Sequence, residues 1–335
     1  MSEVAVRVRE LTVSYLTSSG ELPAVNDVSF DLMAHSITGI VGESGSGKST
    51  LAFAMVNAIP RAARRRSGSV EITGVGDISL LKGEDLRRVR GRRLGFIVQA
   101  SQNSMNPLRR VGKQLLDMGR SHGVGRQVLP RAQGLAKQMG LDAGGVLTAY
   151  PHELSGGMRQ RAALIFALVL DTSVLILDEP TTALDTISQA AVLKIIRDLH
   201  QQRELTTILV SHDLSVVAEI ADHVLVMYAG RIVEEGDTAS VVGSPAHPYT
   251  LGLMRSIPRL WGDLESAQPL SGSPPDLTQV PATGCVFRER CPLRMEVCDR
   301  VIPELQPAGG GTRRVACHAV VEGGWAPLAA TRGAR

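Results

Sequence analysis

Gly42-Glu43-Ser44-Gly45-Ser46-Gly47-Lys48-Ser49-Thr50 is the stretch from which the architecture can be read. It fits G-x-x-x-x-G-K-[ST] at every fixed position, follows the compact β-rich run Ser36–Val41 and precedes the helical pattern LAFAMVNAI. Strand, loop and helix in that order are the context a phosphate-binding loop requires. Glycines let the loop wrap tightly, so its backbone N–H groups converge on phosphate oxygens. The helix N-terminus adds partial positive charge there. In this reading Gly42, Ser44, Gly45, Ser46 and Gly47 form the cradle, and Lys48 neutralises the β- and γ-phosphates. Ser49 offers its hydroxyl to Mg²⁺, and Thr50 closes the motif. A Gly/Ser-rich surface turn would not need every fixed position filled between those flanks.

Downstream, Val174-Leu175-Ile176-Leu177-Asp178-Glu179 is an apolar strand ending in two acids. Buried strands often end in acids, so the pattern is weak alone and gains its meaning from the phosphate loop. Asp178 then binds Mg²⁺, and Glu179 is placed to activate an attacking water. Other short apolar runs lie at Phe96–Val98, Thr206–Val210 and His223–Met227, alternating with helical patterns such as Arg159–Leu170 and Ile187–Gln202. Such alternation predicts an α/β fold with a mostly parallel sheet covered by helices. Met1–Phe30 reads instead as antiparallel strands with a loop at Ser18–Pro23.

Composition narrows the function classes. At 335 residues, 44% hydrophobic and 21% charged, the chain is globular rather than disordered. A net charge of +3 argues against a charge-driven nucleic-acid binder, and 3% aromatics against a stacking platform for single strands. The basic runs Arg64–Arg66 and Arg87–Arg93 read as solvated faces. No run approaches the roughly 18–20 apolar residues of a membrane-spanning helix. The N-terminus MSEVAVRVRELTVSY alternates like a strand and lacks the charged start and apolar middle of a signal peptide. A cytoplasmic chain is expected, reaching a membrane only through a partner.

Leu154-Ser155-Gly156-Gly157-Met158-Arg159-Gln160-Arg161 resembles LSGGQ, the signature sequence of ABC ATPases, with Met158 in place of the usual Gln. Further family elements occur in order. Tyr15 matches the aromatic that stacks on adenine, and Gln99 the Q-loop glutamine. Ala183-Leu184-Asp185 matches the D-loop and His212 the switch histidine. The resemblance covers about Val4 to Pro258. It implies a P-loop ABC cassette over 1–258: a RecA-like core, an antiparallel β subdomain, and a helical subdomain at about 100–170. A Cys-containing extension at 259–335 would follow. It also implies a head-to-tail cassette dimer with two sandwiched ATP molecules. Ser155–Gly157 would offer backbone N–H groups at a helix N-terminus to the other cassette's nucleotide. Gln99 would sense the γ-phosphate and Mg²⁺, and His212 would contact the γ-phosphate and orient the water. His152 reads as structural.

Three features resemble the oligopeptide/dipeptide (and nickel) importer ATPase subunits. They are Tyr150-Pro151-His152-Glu153 joined to the signature, Ser244-Pro245-Ala246-His247-Pro248-Tyr249-Thr250, and the block Cys285, Cys291, Cys298 and Cys317. This resemblance implies uptake of peptides, or of nickel or another small solute. The implied partners are a second, paralogous ATPase subunit, two transmembrane permease subunits and an extracytoplasmic solute-binding protein; no nucleic acid is implied. The implied location is the cytoplasmic face of the membrane. The segment Ala100–Pro107 departs from the family's D-P-x-x-S-L-N-P, in the region that meets membrane subunits.

The four cysteines have three readings: thiolate ligands of a [4Fe–4S] cluster, of structural zinc, or small buried residues. No CxxC knuckle is present, and the resemblance favours the cluster. Gly284–His318 is poor in large apolar residues, so a metal staple is expected to offset its ordering entropy. Ile257–Pro281 reads as a Pro-, Ser- and Gly-rich linker and Thr331–Arg335 as a frayed tail. DNA-maintenance and translation-factor cassettes fit less well, because no heptad run separates Ser49 from Ser155 and the chain holds one cassette.

Overall fold

The computed structural model describes residues 3–18, 20–99, 104–182, 184–256, 270, 272–273, 280, 283–309 and 311–321. Most of the linker 257–281, the tail 331–335, residues 100–103 and Ala183 lie outside them. In chain order the elements begin with β1 (Val4–Thr17), β2 (Gly20–Met33), β3 (Ile37–Val41), α1 (Lys48–Met55), β4 (Ala63–Ile72), β5 (Gly76–Asp77), α2 (Gly83–Arg92) and β6 (Leu94–Ile97). Helices α3 (Val111–Ser121), α4 (Val128–Gln138), α5 (Ala143–Thr148) and α6 (Gly156–Leu168) follow, then β7 (Val174–Asp178), α7 (Thr186–Arg203), β8 (Thr206–Ser211) and α8 (Leu214–Ile220). The chain continues through β9 (His223–Tyr228), β10 (Arg231–Asp237), α9 (Thr238–Gly243), α10 (Pro248–Ser256), β11 (Gln306–Pro307), β12 (Arg314–Val315) and α11 (His318–Val321).

Two compact units result. One holds the described residues of Met1–Val6, Asp31–Ile37 and Glu71–Val210, the other those of Arg7–Phe30, Thr38–Val70 and Ser211–Arg335. The first unit carries the acidic strand. β7 pairs in parallel with β6 and β8, in registers Leu94↔Val174 and Asp178↔Val210. Every residue of β7 is buried, which explains its continuous apolar run. Helical spacing builds the adjoining core. Val128, Ala132, Leu135 and Ala136 of α4 recur along one buried stripe, as do Val111 and Leu115 of α3.

The second unit carries the phosphate loop. β3 and β9 pair in parallel, and β9 turns into β10 through Ala229 and Gly230, both at positive φ (46° and 81°). That pair of left-handed residues is the two-residue hairpin geometry favoured by strand twist. β10 then pairs with β12, and β12 with β11, so the C-terminal extension adds strands to this sheet.

The strands β1, β2, β4 and β5 form a separate sheet in the order β2-β1-β4-β5. In β1, Val6 and Val8 are buried, then Leu11 and Val13. The alternation slips by one at Glu10, which has a φ of 46°, as at a bulge. The predicted loop Ser18–Pro23 is shorter than expected, since β2 already starts at Gly20. The helix predicted for LAFAMVNAI stops at Met55, with Asn57 in a left-handed conformation (φ 52°). The predicted helix Arg159–Leu170 starts earlier, at Gly156, because Ser155 caps it.

Candidate active site

The phosphate loop sits between β3 and α1 as the sequence predicts. Two glycines are sterically required. A Cβ on Gly42 would meet Met227 O at 2.2 Å, and one on Gly47, whose φ is 101°, would meet Ala24 O at 2.0 Å. Lys48 is buried at 5% exposure, and its Nζ donates to the carbonyls of Gly42 (2.7 Å) and Glu43 (2.8 Å). Those carbonyls hold the ammonium at the loop's centre, where incoming phosphate oxygens would compete for it. Ser46 and Thr50 are buried, Ser49 half-buried, and Ser44 and Gly45 exposed. Tyr15 Oη lies 3.4 Å from Thr50 Oγ1, so the predicted adenine-stacking residue is tied to α1. His212, in the same unit, is exposed just after β8.

In the other unit β7 ends on Asp178, 1% exposed, and Glu179 follows it. Glu179 takes a left-handed backbone (φ 50°), which costs a non-glycine residue about 1–3 kcal/mol. Its N–H donates to Val210 O (2.9 Å), so pairing with β8 helps to fix the turn. Oε2 of Glu179 accepts from Gln99 Nε2 (3.0 Å) and Thr182 Oγ1 (2.9 Å). Two predicted residues, Gln99 and Glu179, are thereby brought together, and Thr182 is a partner that the motif reading missed.

The signature forms the start of α6. Ser155 is the N-cap, its Oγ accepting from Met158 N–H (3.3 Å). Leu154 is buried, Ser155 exposed, and Gly156, Gly157 and Met158 half-buried. Just upstream, Tyr150 stacks on His152 (5.5 Å) and lies under the Arg110 guanidinium (5.4 Å). Asp185 caps α7, accepting from Ser188 N–H (2.9 Å) and Oγ (2.7 Å); these bonds hold its carboxyl below the usual range.

The cysteines share one lobe. Cys285, Cys298 and Cys317 are buried and Cys291 half-buried, all without disulfides. Burial pushes the Cys285 thiol up to about 12 and Cys291 to about 11, and Cys298 and Cys317 add to both shifts. Cys317 moves up for the same reason. Thiols desolvated in this way, as at Cys285, Cys291 and Cys317, need a compensating cation to be thiolates, and with Cys298 they make a donor set that suits a metal centre. Among the described residues, however, no three His, Cys, Asp or Glu side chains converge as on a single ion. The lobe is not held by cysteines alone: Phe287 is 1% exposed, and Val315 and Cys317 pack with Ala246, Ala308 and Ala319.

Residues 25–182 match the family model of the ABC transporter, and residues 233–298 that of the oligopeptide/dipeptide transporter C-terminal region. The dipeptide transport ATP-binding protein DppD of Caldanaerobacter subterraneus subsp. tengcongensis is 39% identical over 96% of this chain and 98% of its own length. The oligopeptide transport ATP-binding protein OppD of Escherichia coli K12 is 38% identical over 96% of this chain and 95% of its own. The chain belongs to the ATP-binding subunits of the oligopeptide/dipeptide ABC transporter family. This subunit is therefore an ATPase whose hydrolysis is coupled to transport. Its fold matches the dimeric ABC transporter cassette MJ0796, with a TM-score of 0.60 and 23% identity over 70% of this chain and 98% of that one. CbiO1 of Clostridium perfringens, part of an ABC transporter complex, gives a TM-score of 0.61 at 25% identity over 71% and 91%. Among the described residues, no helix of the ATPase subunit is long and apolar enough to cross a membrane.

Proposed function

We propose that this subunit hydrolyses ATP to drive uptake of di- or oligopeptides through membrane subunits, at the cytoplasmic face of the membrane. The observation that carries the reading is a likeness to dipeptide and oligopeptide transport ATP-binding proteins that runs through cassette and C-terminal region alike. Nickel or another small solute is the alternative cargo. The domains follow the same reading: a cassette over 1–258, with its helical part near 100–170, and the extension 259–335.

Lys48 and the loop amides bind the β- and γ-phosphates, and Tyr15 stacks on adenine. Ser49 would offer its hydroxyl and Asp178 its carboxylate to Mg²⁺, hard oxygen donors of the kind that ion takes, and its charge would offset that of the phosphates. Glu179 accepts a proton from water as the water oxygen bonds to the γ-phosphorus and the bond to the β-phosphate oxygen breaks. ADP and phosphate are released. Gln99 orients Glu179, and His212 orients the water. The exposed Ser155 start of α6 serves a second cassette's nucleotide, and Ile187, 85% exposed beside Asp185, suits a surface that such a cassette covers. Leu108, 84% exposed after Asn106 and Pro107, suits docking on a membrane subunit. Complexes purified from native membranes through this chain should contain two permease subunits, a second ATPase and, in the same system, a solute-binding protein. Recovery with ribosomes or DNA instead would contradict the reading.

Cys285, Cys291, Cys298 and Cys317 would hold a [4Fe–4S] cluster that staples the extension. Such a cluster takes one thiolate per iron, so its ligands need not converge on a single ion. Anaerobic purification should yield about four irons and four acid-labile sulfides per chain. Stoichiometric zinc without sulfide would make the centre zinc. No metal, with the extension still protease-resistant, would leave packing and its polar contacts with the cassette as its support.

A further inference from the structure

Glu43, a variable position of the phosphate loop, is held from four directions. Its carbonyl accepts from Lys48 Nζ (2.8 Å) and Ser46 N–H (3.2 Å), and its own N–H donates to Tyr249 Oη (2.7 Å). Its carboxylate receives both terminal nitrogens of Arg290, at 2.6 and 3.0 Å. Arg290 belongs to the cysteine-bearing extension, next to Cys291, and its side chain is only 6% exposed. It also donates to Tyr228 Oη (3.4 Å) and lies 5.8 Å and 6.0 Å from the ring centres of Tyr228 and Phe287. Tyr228, Tyr249 and Phe287 form one buried aromatic group with centroids 4.6 to 5.5 Å apart. In a chain with 3% aromatics, three meeting behind one loop residue mark a built joint.

The joint is directional. A forked guanidinium–carboxylate pair fixes both angle and distance, and burial keeps water from substituting for either partner. Tyr249 is itself anchored. Its N–H donates to His247 Nδ1 (3.0 Å), and Glu234 accepts from the N–H groups of Ala246 (2.8 Å) and His247 (2.9 Å). The two supports of Glu43 from outside the loop, Tyr249 and Arg290, thus come from the sequence that follows the cassette motifs.

We propose that Arg290 is a positioning residue of the ATPase. Through Glu43 it holds the phosphate loop in its nucleotide-receiving shape, so the cysteine-bearing extension is a working part of the nucleotide site. This rests on the loop being the ATP site. Without the brace the loop spends less time in the competent shape. Apparent nucleotide affinity falls by that fraction. Bound ATP restores the shape, so turnover at saturation is largely kept.

The test uses the full chain in its purified complex, with a fluorescent ATP analogue for binding and phosphate release for turnover. Arg290→Met, Glu43→Gln, Arg290→Lys and the Arg290→Met/Glu43→Gln double variant are compared with the unaltered protein. Each of the first two should raise Kd and KM about tenfold, with kcat reduced no more than about twofold. The double variant should be no worse than either single, and Arg290→Lys should lie between. Unchanged affinity, multiplying effects in the double variant, or a fall in kcat at constant KM would overturn the proposal, the last being the mark of a merely structural residue. If Arg290→Met does not fold, Arg290→Lys and Glu43→Gln decide by the same criteria. Failure of the unaltered complex to bind the analogue would sink the ATP-site reading along with the brace, whereas normal binding with indifferent variants would sink the brace alone.

Discussion

Glu179→Gln yields a chain that binds ATP and scarcely turns it over. Gln99 and Thr182 both donate to one oxygen of this side chain, Oε2. A glutamine can keep its amide oxygen there and put its NH₂ group where the second carboxylate oxygen was. Geometry is retained and the base is lost. Phosphate release should fall about 10²–10⁴-fold, the usual range for removing a general base, while nucleotide binding stays near normal. ATP-bound paired cassettes should accumulate. Near-normal hydrolysis would remove Glu179 from its assigned role.

Lys48→Ala fails one step earlier. The Lys48 ammonium is buried at 5% exposure among loop carbonyls, and no other cation occupies the phosphate loop. Its removal deletes the charge that phosphates would share and leaves the Gly42 and Glu43 carbonyls without this donor. A hydrogen bond to a charged group contributes up to about 3 kcal/mol, so nucleotide affinity should drop on the order of a hundredfold. Titration with a fluorescent ATP analogue reads this directly. Affinity equal to that of the unaltered chain would count against the phosphate-loop assignment. The two variants separate binding from chemistry, since one loses turnover with nucleotide bound and the other loses the nucleotide.

What was legible in the sequence were the positions at which chemistry dictates residue type. Gly42, Gly47 and Lys48 follow from the needs of a phosphate cradle, and each has a steric or hydrogen-bonding reason in the fold. β7 was legible because a strand buried on both faces reads as a continuous apolar run, here Val174 to Leu177 before Asp178. Ser155 as a helix cap was implicit in the Ser-Gly-Gly opening of α6.

The left-handed turn at Glu179 was not legible, because nothing in the residue type announces a strained backbone. Nor was the joint between Arg290 and Glu43, 247 residues apart: no local period or spacing reports a long-range pair. The extension looked too poor in apolar residues to hold itself. Phe287 and the added strand β12 show that one well-placed aromatic and one sheet edge contribute support that composition does not reveal. The short turn before Gly20 was hidden because Pro23, a usual loop marker, lies inside β2.

The claim on which everything rests is that hydrolysis at Glu179 powers solute uptake. The complex purified through this chain should be reconstituted into lipid vesicles with a peptide-loaded binding protein outside and ATP within. Accumulation of labelled peptide is then measured for the unaltered complex and for the one carrying Glu179→Gln. Uptake that requires ATP and drops at least about tenfold in the variant, in step with its lost turnover, is the predicted result. Equal uptake by the two complexes, or uptake that proceeds without ATP, would contradict it.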